Sequence, residues 1–221
     1  MIAWPVRIQV ELPTGVVVLR PLRREDAEVW MRVRAASHDW LRPWEATAPA
    51  QAMAINAAAQ SGSPSRVRTK RPNSFSEYVR QLNAEAKAGE LLPFLVEFNG
   101  QFCGQVTVSG IQYGSLWSGS IGYWISKDFA GRGIMPTAVA LVTDYCFSQL
   151  GLHRIEINIR PENTRSIRVV EKLGFRDEGL RKGYLHIQGR WCDHRSYALV
   201  AEDVPAGVFN RWYGTWVNPV G

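Results

Sequence analysis

Pro161-Glu162-Asn163-Thr164-Arg165-Ser166-Ile167-Arg168-Val169-Val170-Glu171-Lys172-Leu173-Gly174-Phe175 follows directly on a run in which apolar Ile155, Ile157 and Ile159 alternate with polar Arg154, Glu156, Asn158 and Arg160. Alternation of period two predicts a half-buried strand over 153–160. Asn163 or Thr164 is suited to cap a helix over 164–173, which Gly174 stops. Capping alone would account for these residue types. The same segment also brings an amide, a hydroxyl and two arginines (Asn163, Ser166, Arg165 and Arg168) to a strand-to-helix junction. Those groups suit a ligand that carries amides, a thiol and phosphates.

A second junction of the same kind lies upstream. Ile125-Ser126-Lys127-Asp128-Phe129-Ala130-Gly131-Arg132-Gly133-Ile134-Met135-Pro136-Thr137 joins a strand ending at Ile125 to a helix over 135–150. Two glycines allow close approach of backbone to a ligand, and Pro136 fits the first helical turn. Free N–H groups and the positive helix end there favour an anion such as a pyrophosphate. The turn is not a Walker A loop, because no Gly-Lys-Ser/Thr follows. It is a poor dinucleotide fingerprint as well, since the strands before it read as antiparallel hairpins rather than as a β-α-β unit.

Working outward, 6–12 and 16–19 read as two strands around Pro13-Thr14-Gly15, and 24–37 as a helix with apolar Ala27, Trp30, Met31 and Val33 set among charges. Pro43 prevents 38–45 from being one regular helix. Ala48 to Gln60 reads as a weak alanine-rich helix, 61–73 as a flexible basic loop, and Ser74 to Glu77 as a capping box opening a helix to Ala88. Strands over 91–98 and 101–109 meet at Asn99-Gly100, a further strand spans 118–125, and two more pair across Gln188-Gly189. One domain over 1–202 is expected, followed by an aromatic tail, 203–221, that packs back on the body or on a partner.

Composition agrees with a single ordinary globular unit: 221 residues, 46% hydrophobic and 21% charged. No run approaches the roughly 18 apolar residues of a membrane span, and the first residues lack a signal-peptide pattern. Three cysteines without a CxxC argue against a disulfide framework or a zinc site, so a cytoplasmic protein without metal or membrane contact is expected. Net charge is +6, and 21 of the 26 basic residues are arginines. Arginine matches phosphate with a planar fork of donors. From Arg154 to Arg195 there are ten basic residues against six acidic, an excess expected to meet an anion. Arg66, Arg68, Lys70 and Arg71 fall in a stretch, 46–76, that has no acid at all. That run reads either as a solvated loop or as a contact for ribosome or RNA phosphates.

Taken together, in this order, the two junctions resemble those of the GNAT superfamily of N-acetyltransferases. Ile121-Gly122-Tyr123-Trp124-Ile125, Gly133-Ile134-Met135, Asn163 through Phe175, and Leu19-Arg20-Pro21-Leu22 followed by Asp26 resemble more narrowly the RimJ/RimL group of ribosomal-protein N-terminal alanine acetyltransferases. The resemblance covers about 16–202. It departs at Ala130 and Met135, where the superfamily turn usually carries Gln/Arg and Gly/Ala, and at 46–73, which is longer than the usual connection. It implies an α/β (α+β) fold: a mixed, mostly antiparallel sheet, flanked by helices and splayed between the strands ending at Ile125 and Arg160. Acetyl-CoA is the implied cosubstrate, held at Trp124, Ile125, Ser126, Gly131, Arg132, Gly133, Ile134, Met135, Thr137, Asn163, Arg165, Ser166 and Arg168.

The implied reaction is direct acetyl transfer to the N-terminal amine of a protein, such as a ribosomal protein beginning with alanine or serine. An α-amino group titrates at about 7.7–8.0, so a modest base or a water held by one is enough. Glu45, Glu97 and Glu156 are the candidates for that base, each equally readable as an ion-paired or solvated glutamate. Ser166 matches a serine that donates a proton to the departing thiolate, or is simply a first-turn helix residue. Trp40 and Trp44 read as an aromatic wall for the acceptor or as core. No nucleophilic cysteine is apparent, which argues against a covalent acetyl-enzyme. The alternatives are an aminoglycoside or polyamine acetyltransferase, whose polycationic acceptors would favour an acidic face, and a non-catalytic acetyl-CoA- or RNA-binding module.

Overall fold

β1 (Ile8–Leu12) and β2 (Gly15–Pro21) form a hairpin, and α1 (Ala27–Ala36) follows after one 3-10 turn at Arg24–Asp26. The computed structural model describes residues 4–49, 72 and 74–217. The expected alanine-rich helix over 48–60 and basic run at Arg66 to Arg71 lie almost wholly outside them. Beyond α1, Pro43 divides the chain as anticipated: α2 (His38–Leu41) gives way to a 3-10 turn over Arg42–Trp44. Then come α3 (Phe75–Lys87), β3 (Leu92–Phe98), β4 (Gln101–Gln112), β5 (Ser118–Ile125) and α4 (Ile134–Ser148). The chain closes with β6 (Arg154–Ile159), α5 (Thr164–Lys172), β7 (Arg176–Ile187), β8 (Arg190–Val200) and α6 (Val208–Val217). Ser74 caps α3 by accepting from the Glu77 amide at 3.1 Å.

The eight strands form one sheet in the order β1-β2-β3-β4-β5-β6-β8-β7. Every neighbouring pair is antiparallel except β5 and β6, which run parallel. That parallel pairing lasts for three residues, Ser118 to Ser120 against Arg154 to Glu156. Past Ser120 the two strands part, and Ile121–Ile125 stays bonded to β4 alone while Ile157–Ile159 stays bonded to β8. The splay implied by the resemblance is therefore present.

α4 packs on β2, β4, β5 and β6 and so spans both sides of the splay. Burial along α4 extends beyond one face: everything from Ile134 to Ala140, plus Val142, Thr143 and Cys146, is buried. Burial of each Val, Leu or Ile of this kind contributes about 1.5–3 kcal/mol. Along α1, Val29, Trp30 and Val33 pack on the core while Met31 is 53% exposed.

Glu97 belongs to this framework. Arg20 donates to both carboxylate oxygens of Asp26 at 2.8 Å and to Glu97 Oε1 at 2.6 and 2.9 Å. The Arg23 amide adds a 2.7 Å bond to Asp26. All three side chains of the cluster are less than a fifth exposed. Removing one partner of a buried charge cluster strands the others, so Arg20→Ala is expected to cost about 3–5 kcal/mol in urea unfolding. A loss under about 1 kcal/mol, the range of exposed pairs, would refute that role. Burial pushes the Asp26 carboxyl up, but the bonds from Arg20 and Arg23 more than reverse this and its pKa is lowered. The cluster's stabilisation is thus complete above the ordinary aspartate range and is lost as pH falls through the depressed value.

Candidate active site

The parting of β5 from β6 opens a cleft of about 1210 Å³ that runs through the sheet. Its two halves differ in chemistry. On the α4 side, Ala130, Gly131, Gly133 and the first turn of α4 line the wall. Gly131 and Gly133 hold φ of +82° and +77°, a region that disfavours any side chain. The first-turn N–H groups of α4 have no helical acceptor and give this wall the character of an anion site.

The facing wall is α5, which contributes Asn163, Arg165, Ser166, Arg168, Val169 and Lys172. Asn163 is its cap, accepting from the Ser166 amide at 3.2 Å. Among the described residues the Ser166 hydroxyl has no protein partner, which leaves it for a ligand. Tyr123, on β5, reaches across the gap and donates to the Ser166 carbonyl at 3.0 Å. Burial pushes the Tyr123 phenol well above its ordinary range, so it stays protonated.

Most of the basic residues of 154–195 fall into two groups. Arg154 pairs with Glu156 and Glu178, Arg176 with Glu178 and Asp203, Arg181 with Glu156, and Arg195 with Asp177. These arginines are spent on the surface of the β6–β8–β7 sheet. Arg165, Arg168 and Lys172 have no ion pair among the described residues, and all three face the cleft. Arg160 pairs with Glu162, and Lys182 and Arg190 lie outside the cleft lining, so the charge that faces the cleft unpaired is that of α5.

The other half lies on the α1 side. Gln105, Thr107 and Ser109 of β4 stand at strand spacing and pair with Trp124, Gly122 and Ser120 of β5, making a polar floor. A Cβ on Gly122 would find nothing within 4 Å, so the floor is open above it. The Trp30 indole N–H is buried at the wall and has no partner among the described residues. Arg34 stacks on Trp124 at 4.9 Å and on Trp30 at 5.6 Å, and pairs with Glu45. Glu45 therefore stands in the α1-side half of the cleft, held by Arg34. Trp40 and Trp44 also line the cleft, each fixed from behind. Trp40 donates to the Ile125 carbonyl at 3.0 Å and carries Arg165 on its face at 4.3 Å. Trp44 lies under Arg160 at 5.6 Å.

Several expected site residues are elsewhere. Glu97 is committed to Arg20, and Glu156 accepts from Arg154 and Arg181 at 3.0 and 2.9 Å; neither lines the cleft. Ser126 is buried with its amide on the Cys103 carbonyl, and the Thr137 hydroxyl accepts from Trp212 Nε1 at 2.9 Å in the core. Arg132 folds over Phe129 instead of into the cleft. Trp124, Ile125, Gly131, Gly133, Ile134 and Met135 do line it. Tyr123, Arg34, Trp30 and the Gln105–Ser109 row were missed. The alternation of polar residues along β4 was the available signal for the row.

Residues 17–176 match the family described as an acetyltransferase (GNAT) domain. Among solved structures, Mycobacterium smegmatis RimJ in complex with CoA-disulfide is 39% identical and superposes with a TM-score of 0.82, covering 96% of both chains. The Escherichia coli (strain K12) ribosomal protein uS5-alanine N-acetyltransferase is 28% identical over 90% of this chain and 95% of its own length. Probable N-acetyltransferase YjcK of Bacillus subtilis is 44% identical over 45% of this chain, and that match spans 55% of YjcK.

Proposed function

The chain belongs to the acetyltransferase (GNAT) domain family, which makes it an acyltransferase with acetyl-CoA as cosubstrate, and on that premise we propose that the acceptor is the N-terminal α-amino group of a protein, a ribosomal protein beginning with alanine or serine. The observation that carries this is the division of one through-sheet cleft into a cationic half and a polar–aromatic half. The residues of the cationic half fit the cosubstrate: the free amides of α4 and the charges of Arg165, Arg168 and Lys172 suit its phosphates. When bound, acetyl-CoA supplies an acyl carbon activated as a thioester.

This chain's residues then divide the work. Glu45, directly or through one water, takes the proton of the incoming amine, whose reference pKa of about 7.7–8.0 asks for only a weak base. Nitrogen bonds to the acyl carbon as the carbon–sulfur bond breaks. The Ser166 hydroxyl gives its proton to the departing sulfur and takes one back from solvent, to which Glu45 releases the proton it accepted. Trp30 Nε1 and the Gln105, Thr107 and Ser109 row offer partners to the main-chain amides of an extended peptide. Identity with the RimJ and uS5-alanine enzymes supports the acceptor class. A polyamine or aminoglycoside carries several positive charges and would need several carboxylates, whereas Glu45 is the one carboxylate lining the cleft among the described residues.

Intact-mass spectrometry after incubation with acetyl-CoA tests the reading. Peptides starting with alanine or serine should gain one acetyl group, and the same peptides with a blocked N-terminus, spermidine and kanamycin should not. Acetylation of the small amines with no reaction at peptide N-termini would overturn it. CoA binding without transfer to any of these would favour a non-catalytic module.

A further inference from the structure

The C-terminal helix α6 lies beyond the residues matched by the family description, yet it touches both walls of the cationic half. Its N-terminus is anchored on α4: Asp144 accepts from the Val208 and Phe209 amides at 2.6 and 2.9 Å. One turn into α6, the buried Trp212 indole donates to the buried Thr137 hydroxyl, one turn after Gly133. Trp216 stacks on Trp212 with rings 14° apart. Its ring lies 3.3 Å from where a Cβ on Gly133 would be, so the missing side chain of the glycine is what admits the indole. Toward α5, the Trp212 ring lies 5.6 Å from Lys172 Nζ, and Arg211 fills the space beside Gly174.

We propose that α6 is a prop for the cosubstrate site, in which Trp216 and Trp212 are positioning residues that fix the Gly133 turn against α5 and so set the affinity for CoA. The inference rests on reading the 130–136 turn and α5 as the CoA site. The physical reason lies in the turn itself. Gly131 has open space around it, and two left-handed glycines leave the loop many alternative conformations. The Trp216 face removes those alternatives before ligand arrives, so less ordering is charged to binding. Linkage makes the effect reciprocal: CoA must steady α6 by the same free energy with which α6 strengthens CoA.

Two measurements test this on the full chain. Hydrogen exchange of the wild type with and without CoA should show slowing at 130–137 and also at 208–216, residues outside the cleft lining. In calorimetry, Trp216→Ala is expected to raise the CoA Kd about tenfold, within the 5–150-fold typical of coupled sites, and Trp216→Phe to recover most of it. The kcat at saturating acetyl-CoA should stay within about twofold, since only uniform binding is lost. A helix that merely fills the core would lower stability without this split. An unchanged Kd in folded Trp216→Ala overturns the proposal. If that variant does not fold, exchange at 208–216 that ignores CoA overturns it equally. CoA that protects 208–216 no more than distant segments while slowing 130–137 sinks the prop alone. CoA that fails to slow 130–137 sinks the site reading and the prop with it.

Discussion

Replacing Ser166 with alanine is expected to lower kcat about 10²–10⁴-fold, the usual contribution of a positioned general acid, with acetyl-CoA affinity near that of the wild type. The amide of Ser166 is held by Asn163 and its carbonyl by Tyr123, so the residue is fixed at both ends of its peptide while its hydroxyl stays uncommitted. Neither restraint involves the hydroxyl, so alanine should keep the geometry. Steady-state turnover at saturating acetyl-CoA is the measurement. Turnover within about twofold of wild type would make Ser166 a helix-start residue, and the neighbouring Tyr123 phenol, kept protonated by burial, would then be the proton donor.

Gly122→Val should abolish peptide acetylation, with kcat/KM for the acceptor falling at least about 10²-fold, while CoA binding is spared. The two effects separate because Gly122 shares its face with Thr107 and Trp124, away from the Gly133 turn. Valine is a good strand residue, and Gly122 is not among the left-handed glycines, so the backbone accepts it. The open space above Gly122 is then filled by two methyl groups on the acceptor floor. Unchanged peptide kinetics would place the acceptor elsewhere.

What could be read from the sequence was local. The period-two pattern of Ile155, Ile157 and Ile159 fixed β6, and Asn163 capped α5 as its position next to that strand suggested. The pair of glycines marked the turn because φ near +80° excludes other residues. What could not be read depended on distant partners. A glutamate on a strand looks the same whether it is a base or, like Glu97, is bound by an arginine 77 residues away. Arg20 and Asp26 matched a family pattern before their role as an internal cluster was visible. Thr137 and Trp212 are joined across 75 residues, so a threonine that reads as a ligand contact also accepts from a core indole. The tail, whose aromatic residues announced only that it would pack somewhere, contains the helix α6.

The three-residue seam between β5 and β6 also bears on how the chain assembles. On one side β2 to β5 join by nearest neighbours, and on the other β7 and β8 form a local hairpin to which β6 adds. Only the β1–β2, β3–β4–β5 and β7–β8 hairpins form from short-range contacts, the faster kind of assembly, because β2 meets β3 across more than 70 residues. The seam pairs only three residues, so α4, which packs on both blocks, shares in coupling them. Cavities cut into α4 at Val139 or Val142 should therefore do more than lower stability. They should uncouple the two blocks, giving separate unfolding transitions by hydrogen exchange where the intact chain has one.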